Sequence, residues 1–320
     1  MRLVALFAVL ASALPAVAFA DTVGIISTPP GSYTHSASTA VAKAIADHSD
    51  IQVRVQPQGA SPLYGVDGGA AQLGIANYFD NVFFVTGTGE YQGEGPKQNI
   101  RVIGNLTPLT VGFYVKKDSP VKALKDLKGL RIGDGFTAQK TIRRTIAAHL
   151  AIAGLTFDDV RPVMTANVVT GADDFGTGKT DAFSFALGSA KVKEINVKVG
   201  GIRALDIAAD PAGLKRMQAL LPGAYLSVVH PLPGLDGVEA DTHVMTYDFL
   251  LITSAKVPDD IVYKVTKAVH DGKQSIVETF PPLRAFDPNT MAAKSLAPLQ
   301  YHPAAIKYYK EIGQWPPPQS

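Results

Sequence analysis

Four consecutive apolar residues, Val23 to Ile26, run into Pro29-Pro30-Gly31, and this short stretch constrains the fold more than any other. A brief run without polar alternation suits a strand buried on both faces. The proline pair ends it. From Tyr33 onward Ala37, Ala40, Val41, Ala44 and Ile45 recur at three- and four-residue steps, which places them on one helical face. Ser32 or Thr34 caps the start of that helix. Ile51, Val53 and Val55 alternate with Gln52, Arg54 and Gln56, the pattern of a second strand. Leu73 to Ala76 gives a third. Strand, helix, strand with short connections predicts βαβ units and a parallel sheet.

The same reading continues downstream. Val111 to Val115 is a strand, and Val121 to Leu127 a short helix ending at Gly129. Leu130 to Gly133 is a strand that leads to a long helix from Thr137 to Ala153, stopped by Gly154. Val160 to Val163, Ala182 to Phe185, Ile202 to Leu205 and Val244 to Thr253 read as further strands. Pro211 to Asp241 is rich in Pro and Gly and gives no periodic signal. Pro258, Asp259 and Asp260 open a helix with Ile261, Val265, Val269 and Ile276 on its face. Trp315 to Ser320, with three prolines, reads as a loose tail.

Residues 1–20 carry the secretory pattern: Arg2, an apolar run from Leu3 to Pro15 broken by Ser12, and Ala18-Phe19-Ala20 before Asp21. The run is shorter than the roughly 20 residues of a membrane span, so a cleaved signal peptide and a soluble periplasmic protein are expected. The chain has no cysteine, which excludes disulfides, thiolate chemistry, Cys-ligated zinc, iron–sulfur clusters and a lipid anchor. Without Arg2, 29 basic residues face 28 acidic ones. With no basic block, nucleic acid is not an expected partner.

The motifs that carry reactions fail on inspection. Gly176-Thr177-Gly178-Lys179-Thr180 has Asp173 where a phosphate loop needs glycine, and a strand follows it rather than a helix. Gly133-Asp134-Gly135 lacks the rest of the dinucleotide fingerprint. None of the seven histidines falls in a metal-ligand spacing, and no G-x-S-x-G elbow exists. Asp158-Asp159, Asp173-Asp174 and Asp259-Asp260 sit where helices start or chains turn. No enzyme, cofactor or resident metal is therefore expected. What remains is a set of polar turns at the carboxyl ends of strands: Thr28, Gly31, Ser32, Tyr33 and Thr34 after the first; Gly59 and Ser61 after the second; Asn77 and Tyr78 after the third; Thr137, Ala138 and Gln139 before the long helix. In open α/β sheets ligands sit at such places, where helix N-termini offer free N–H groups to a small anion.

Several segments in order carry a family likeness. They are Gly31-Ser32-Tyr33, Gln58-Gly59-Ala60-Ser61, Asn99 to Ile103, Ser119 to Gly129, Ala153 to Val160, Thr180 to Phe185, Val257 to Tyr263 and His302 to Tyr309. From Val23 to about Gly313 the chain resembles a solute receptor of the TRAP transporter family, TAXI type. The resemblance departs at Pro29-Pro30, where the family has a glycine-rich turn, and at Asn77-Tyr78, where it has Gln-Ser. It implies an α/β, two-lobed periplasmic-binding-protein-like (type II) fold. Each lobe is a mixed, mostly parallel sheet flanked by helices, and two strands cross near Leu106–Lys116 and His243–Ser254. Residues 21–110 and 249–320 would form the first lobe and 111–248 the second. It implies a monomer that captures a small organic anion, an amino acid, 2-oxoacid or dicarboxylate, and delivers it to TRAP membrane subunits. The carboxylate would meet the helix starts at Ser32-Tyr33-Thr34 and Thr137-Ala138. Ser61 and Asn77 would add hydrogen bonds, Tyr33, Tyr78 and Phe183 would wall the cleft, and Ser184 would join the site. A sensor for a membrane receptor and an exported enzyme on the same scaffold are the rival readings.

Overall fold

In the computed structural model, which describes residues 22–208, 210–293, 296 and 298–317, the opening βαβ pattern is present. The proposed signal peptide lies outside the described residues. The strand β1 (Thr22–Ser27) is buried from its second residue onward. It pairs in parallel with β2 (Gln52–Pro57) on one side and β3 (Leu73–Asn77) on the other. The helix α1 (Tyr33–His48) lies between β1 and β2 in sequence and buries Ala37, Ala40, Val41, Ala44 and Ile45. Gly31 turns into it at φ +91°, a left-handed conformation that costs glycine little. The short α2 (Pro62–Asp67) joins β2 to β3, and α3 (Tyr78–Thr86) follows β3 directly. The sequence reading did not foresee α3. Its segment is apolar around most of its circumference, so no period stands out.

The crossing strand β4 (Ile100–Lys116) is one 17-residue strand, longer than the five-residue run read from Val111 to Val115. It enters a second βαβ unit built from β5 (Arg131–Gly135), α4 (Lys140–Ile152) and β6 (Arg161–Thr165), whose strands pair in parallel. Then come α5 (Val168–Gly176), β7 (Phe183–Ala186), α6 (Ala190–Lys198), β8 (Ile202–Ala204), α7 (Pro211–Leu220) and β9 (Tyr225–Val229). The second crossing strand, β10 (Thr242–Ser254), returns antiparallel to β4 along nearly its whole length. Two register shifts interrupt that ladder, between Phe249 and Leu250 and between Leu251 and Ile252. The chain ends with α8 (Asp259–Asp271), α9 (Lys273–Thr279) and α10 (Pro303–Glu311).

The sheet order β2-β1-β3-β10-β4-β7 shows how two lobes arise from one ladder. In the first, β3 meets β10; in the second, β7 meets β4, and an isolated bridge from Ile132 to Ala182 sets β5 beside the chain entering β7. Each crossing strand thus closes a βαβ unit antiparallel to it. Between named strands, parallel pairing is found at β1–β2, β1–β3 and β5–β6, and the antiparallel pairs β3–β10, β4–β10, β9–β10, β4–β7 and β4–β8 outweigh the mostly parallel sheet expected. A strand that carries the chain back across a hinge must run against its neighbours. The helices α1, α8, α9 and α10 pack in the first lobe, α4 with α7 and α5 with α6 in the second. One hydrophobic cluster runs through both lobes. A smaller one around Tyr114, Phe175, Phe183, Phe185 and Ile195 belongs to the second.

Three boundaries differ from the reading, each for a local reason. The helix α4 starts at Lys140, not Thr137, because Phe136 at φ +43° and Gly135 at +85° hold the backbone out of helical geometry. Gly154 stops it as expected, at φ +73°. The expected helix at Val121–Leu127 is one 3₁₀ turn, Leu124–Leu127, with Asp126 accepting from the amides of Lys122 and Ala123. Trp315 is not part of a loose tail: its ring packs edge-on against Tyr301 at 5.3 Å.

Candidate functional site

Where β1 and β3 end, the structure opens a cavity of about 100 Å³. Its walls come from both lobes. Thr28, Ser32, Tyr33, Thr34, Ser61, Asn77 and Asp80 line it from the first, and Gln139, Thr141, Thr145, Ser184 and Phe185 from the second. The crossing strands supply Leu109 and Val111 from β4, and Tyr247 and Phe249 from β10. In each strand these two positions are two residues apart, so they share one face.

One side of the cavity is a set of donors. Thr28 Oγ1 and Ser32 Oγ lie 2.7 Å apart, and Ser32 Oγ donates to the Pro29 carbonyl at 2.7 Å while accepting the His35 amide at 3.2 Å. Ser32 therefore caps α1 with its side chain. The next two amides, those of Tyr33 and Thr34, have no carbonyl one turn earlier in the helix to donate to. They form the partly positive end of a 16-residue helix. Tyr33 is locked as wall: its ring stacks edge-on with Phe249 at 5.8 Å and Phe280 at 4.9 Å, and its hydroxyl donates to the Pro282 carbonyl at 3.2 Å.

Past the end of β3, the strand paired with β1, the same lobe lines the cavity with acceptors. Asp80, in the first turn of α3, is 5% exposed and is the one charged residue among the described residues that line the cavity. Tyr91 donates its hydroxyl to Asp80 Oδ1 at 2.6 Å, and Ser61 donates to Oδ2 at 3.4 Å. Burial pushes the Asp80 carboxyl up to about 6, against the pull of the Tyr91, Ser61 and Thr141 hydroxyls and with some help from the charge of Glu90. Burial likewise raises the Tyr91 and Tyr247 phenols. Asn77 sits beside Asp80 on the same lining, and its buried side-chain oxygen has no hydrogen-bond partner among the described residues.

Of the expected site residues, the cavity brings together Thr28, Ser32, Tyr33, Thr34, Ser61, Asn77, Gln139 and Ser184. The others lie elsewhere. Gly31 lies just behind the cap, and its carbonyl accepts the Lys191 amide. A side chain added at Gly59 would meet nothing within 4 Å. Tyr78 lies against Gly223. Thr137 is exposed and Ala138 half-buried, because α4 starts later than expected. Phe183 is core: it stacks on Tyr114 at 5.1 Å and packs on Phe175 at 4.7 Å. Gln139 lines the cavity, and its side-chain oxygen also accepts the Val168 amide. The sequence reading passed over Asp80, Thr141, Thr145, Tyr247 and Phe249. A lone acid inside the apolar run Tyr78–Thr86 was the available signal, since an ionisable group is costly to bury there without a partner.

The lobes touch around this cavity. Arg144 on α4 reaches across to Glu90 at 2.7 Å and lies over the Phe83 ring at 4.8 Å. The Lys191 amide donates to the Gly31 carbonyl at 3.1 Å. Among the described residues no helix is long and apolar enough to cross a membrane, and no group of three or more His, Asp or Glu is placed to hold a metal ion.

Comparison with solved structures gives the same fold across most of the chain. A protein described as a periplasmic transporter matches at a TM-score of 0.58 and 15% identity, over 94% of each chain. MatC from Rhodopseudomonas palustris with bound malate matches at 0.58 and 15%, over 92% of this chain and 97% of its own. An ancestral arginine-binding protein bound to arginine matches at 0.51 and 15%, over 81% and 97%. At such identities the likeness concerns the fold. The family model of the NMT1-like family matches residues 30–313, nearly the whole described chain, and the protein belongs to the NMT1-like family.

Proposed function

We propose that the protein is the periplasmic ligand-capturing component of a membrane transport system, and that it holds a small carboxylate between its lobes. The observation that carries this reading is the cavity at the crossing strands, lined by the first turn of α1 with the free helix-end amides of Tyr33 and Thr34. The lobes divide within the crossing strands, near residues 110 and 249, so that 21–110 with 249–320 move against 111–248. The β4–β10 ladder, with its two register shifts, is the hinge. The membrane partner is a TRAP-type permease, a reading supported by the TAXI-type sequence resemblance. Neighbours of this fold that hold malate and arginine support a ligand of this size.

Charge-assisted hydrogen bonds contribute about 1.5–3 kcal/mol apiece, so three or four give micromolar binding after association costs. Calorimetry against a panel of amino acids, 2-oxoacids and dicarboxylates should find at least one micromolar ligand. Silence across the panel would reject the reading. Thr34→Asp gives a second check. A carboxylate in the first turn of α1 suits the helix dipole and should leave the fold intact, yet it places like charge against the ligand and should weaken binding at least about 100-fold. The lobe contact is testable in the free protein. Arg144→Ala removes the Glu90 pair and the Phe83 contact, together about 1–2 kcal/mol of closure. Small-angle scattering should then show a larger radius of gyration than wild type. An unchanged radius would mean that Arg144 does not hold the lobes together.

A further inference from the structure

Two stretches of the first lobe's lining make opposite demands. The α1 side offers N–H donors. The α3 side offers acceptors, namely the buried Asp80 carboxyl and the unpartnered Asn77 side-chain oxygen. Every partner the structure gives Asp80 is a neutral hydroxyl, from Tyr91, Ser61 and Thr141. A carboxylate buried without a cation is costly, and so is a buried acceptor without a donor. Both costs fall on one patch of the lining, and one ligand group would relieve both. That group is a donor with positive charge, held at a distance from the ligand's own carboxylate.

Resting on the carboxylate reading above, we propose that Asp80 is the specificity-determining residue of the site. Asp80 and Asn77 would bind a protonated nitrogen of the ligand, so that the protein selects amino-bearing carboxylates and rejects 2-oxoacids and dicarboxylates that lack the amino group. A 2-oxo group brings only an acceptor to two acceptors. A second carboxylate in place of the amino group brings like charge against Asp80. The ordinary alternative for an acid in the first turn of a helix is capping. Asp80 does not do that: its oxygens meet the Tyr91 and Ser61 side chains, and the Asn77 side chain makes no cap bond either.

The test uses matched carbon skeletons on the wild-type protein: L-alanine with pyruvate, L-glutamate with 2-oxoglutarate, L-aspartate with oxaloacetate and succinate. Wherever a skeleton binds, the amino form should bind about 30-fold or more tighter than its partner. Asp80→Asn should cut binding of the amino form by at least the same factor and narrow the gap within each pair. Tyr91→Phe removes one hydroxyl from Asp80 and leaves its charge, so the preference for the amino form should persist. Binding of a 2-oxoacid or dicarboxylate as tight as that of its amino counterpart overturns the assignment of Asp80 and leaves the carboxylate reading standing. An unchanged preference in Asp80→Asn does the same. If no member of any pair binds, both readings fall together.

Discussion

Asp80→Asn should make the free protein more stable, by about 3 kcal/mol at pH 8, while at pH 3 the two proteins should unfold alike. The folded protein holds the Asp80 carboxyl at about 6, against 3.8 for an ordinary aspartate. A tenfold change in proton affinity corresponds to about 1.4 kcal/mol. The sign follows from proton linkage. Because the folded state binds this proton more tightly than the unfolded state, Asp80 adds stability in acid. That contribution declines as pH rises from about 4 and is gone above about 6. Asparagine fills the same space and carries no charge; its one amide oxygen accepts from Tyr91, and its amide nitrogen donates to the Ser61 hydroxyl, which turns to accept. Urea unfolding of both proteins from pH 3 to 8 measures the difference directly. A variant equal to or weaker than wild type at pH 8 would mean that Asp80 is not strained by burial. The titratable groups around it are Glu90 and Tyr91 beyond α3, Tyr64 on α2 and Tyr247 on β10. Of these only Glu90 is a carboxyl, so Glu90→Gln is the control for the slope.

His149→Asn should remove an acid-sensitive step of similar size and opposite sign. His149 lies fully buried on α4, its ring edge-on to Phe113 at 5.2 Å, with Nδ1 3.0 Å from the Thr145 carbonyl. Burial pushes the imidazole down to about 4, against the pull of that carbonyl. An unfolded histidine takes up a proton near 6.5; this one refuses it. The folded state keeps its full stability above 6.5 and loses about 3 kcal/mol as pH falls from there to about 4. Asparagine keeps a donor toward Thr145 and does not titrate. It leaves a small void, which lowers stability by a similar amount at every pH. The readout is therefore slope rather than level: between pH 7 and 4.5 the variant should lose less stability than wild type. Parallel curves would place the acid sensitivity elsewhere.

These groups also show where sequence reading reaches its limit. The β1–α1–β2 unit was legible because its signals are local: a buried apolar run, a proline stop, a serine cap and small residues at helical spacing. For the same reason Ser32, the cap, and Thr34 in the first turn could be placed at the cavity. The helix α3 was not legible, since apolar residues on all sides carry no period, and Asp80 was hidden with it. The helix α5 contains Gly171 and Asp173-Asp174, weak helix formers held in place by packing against α6. By contrast, α7 had a readable start, Asp210 capping with Pro211 behind it, inside a region that looked too rich in proline to assign. Thr137 stands on a loop that sequence singled out, and Phe183 opens the strand β7. Whether a loop residue faces the cavity or the core depends on a backbone turn such as that at Phe136, which no pattern announces.

The order of strands in the sheet governs when the molecule can come into being. The edge of β3 stays bare until Asn77 meets Phe249, and the edge of β4 facing β10 waits equally long. As the ribosome delivers the chain from its beginning, neither half can be finished while the return strand is still missing. Assembly is therefore a late event for the whole chain rather than a running one.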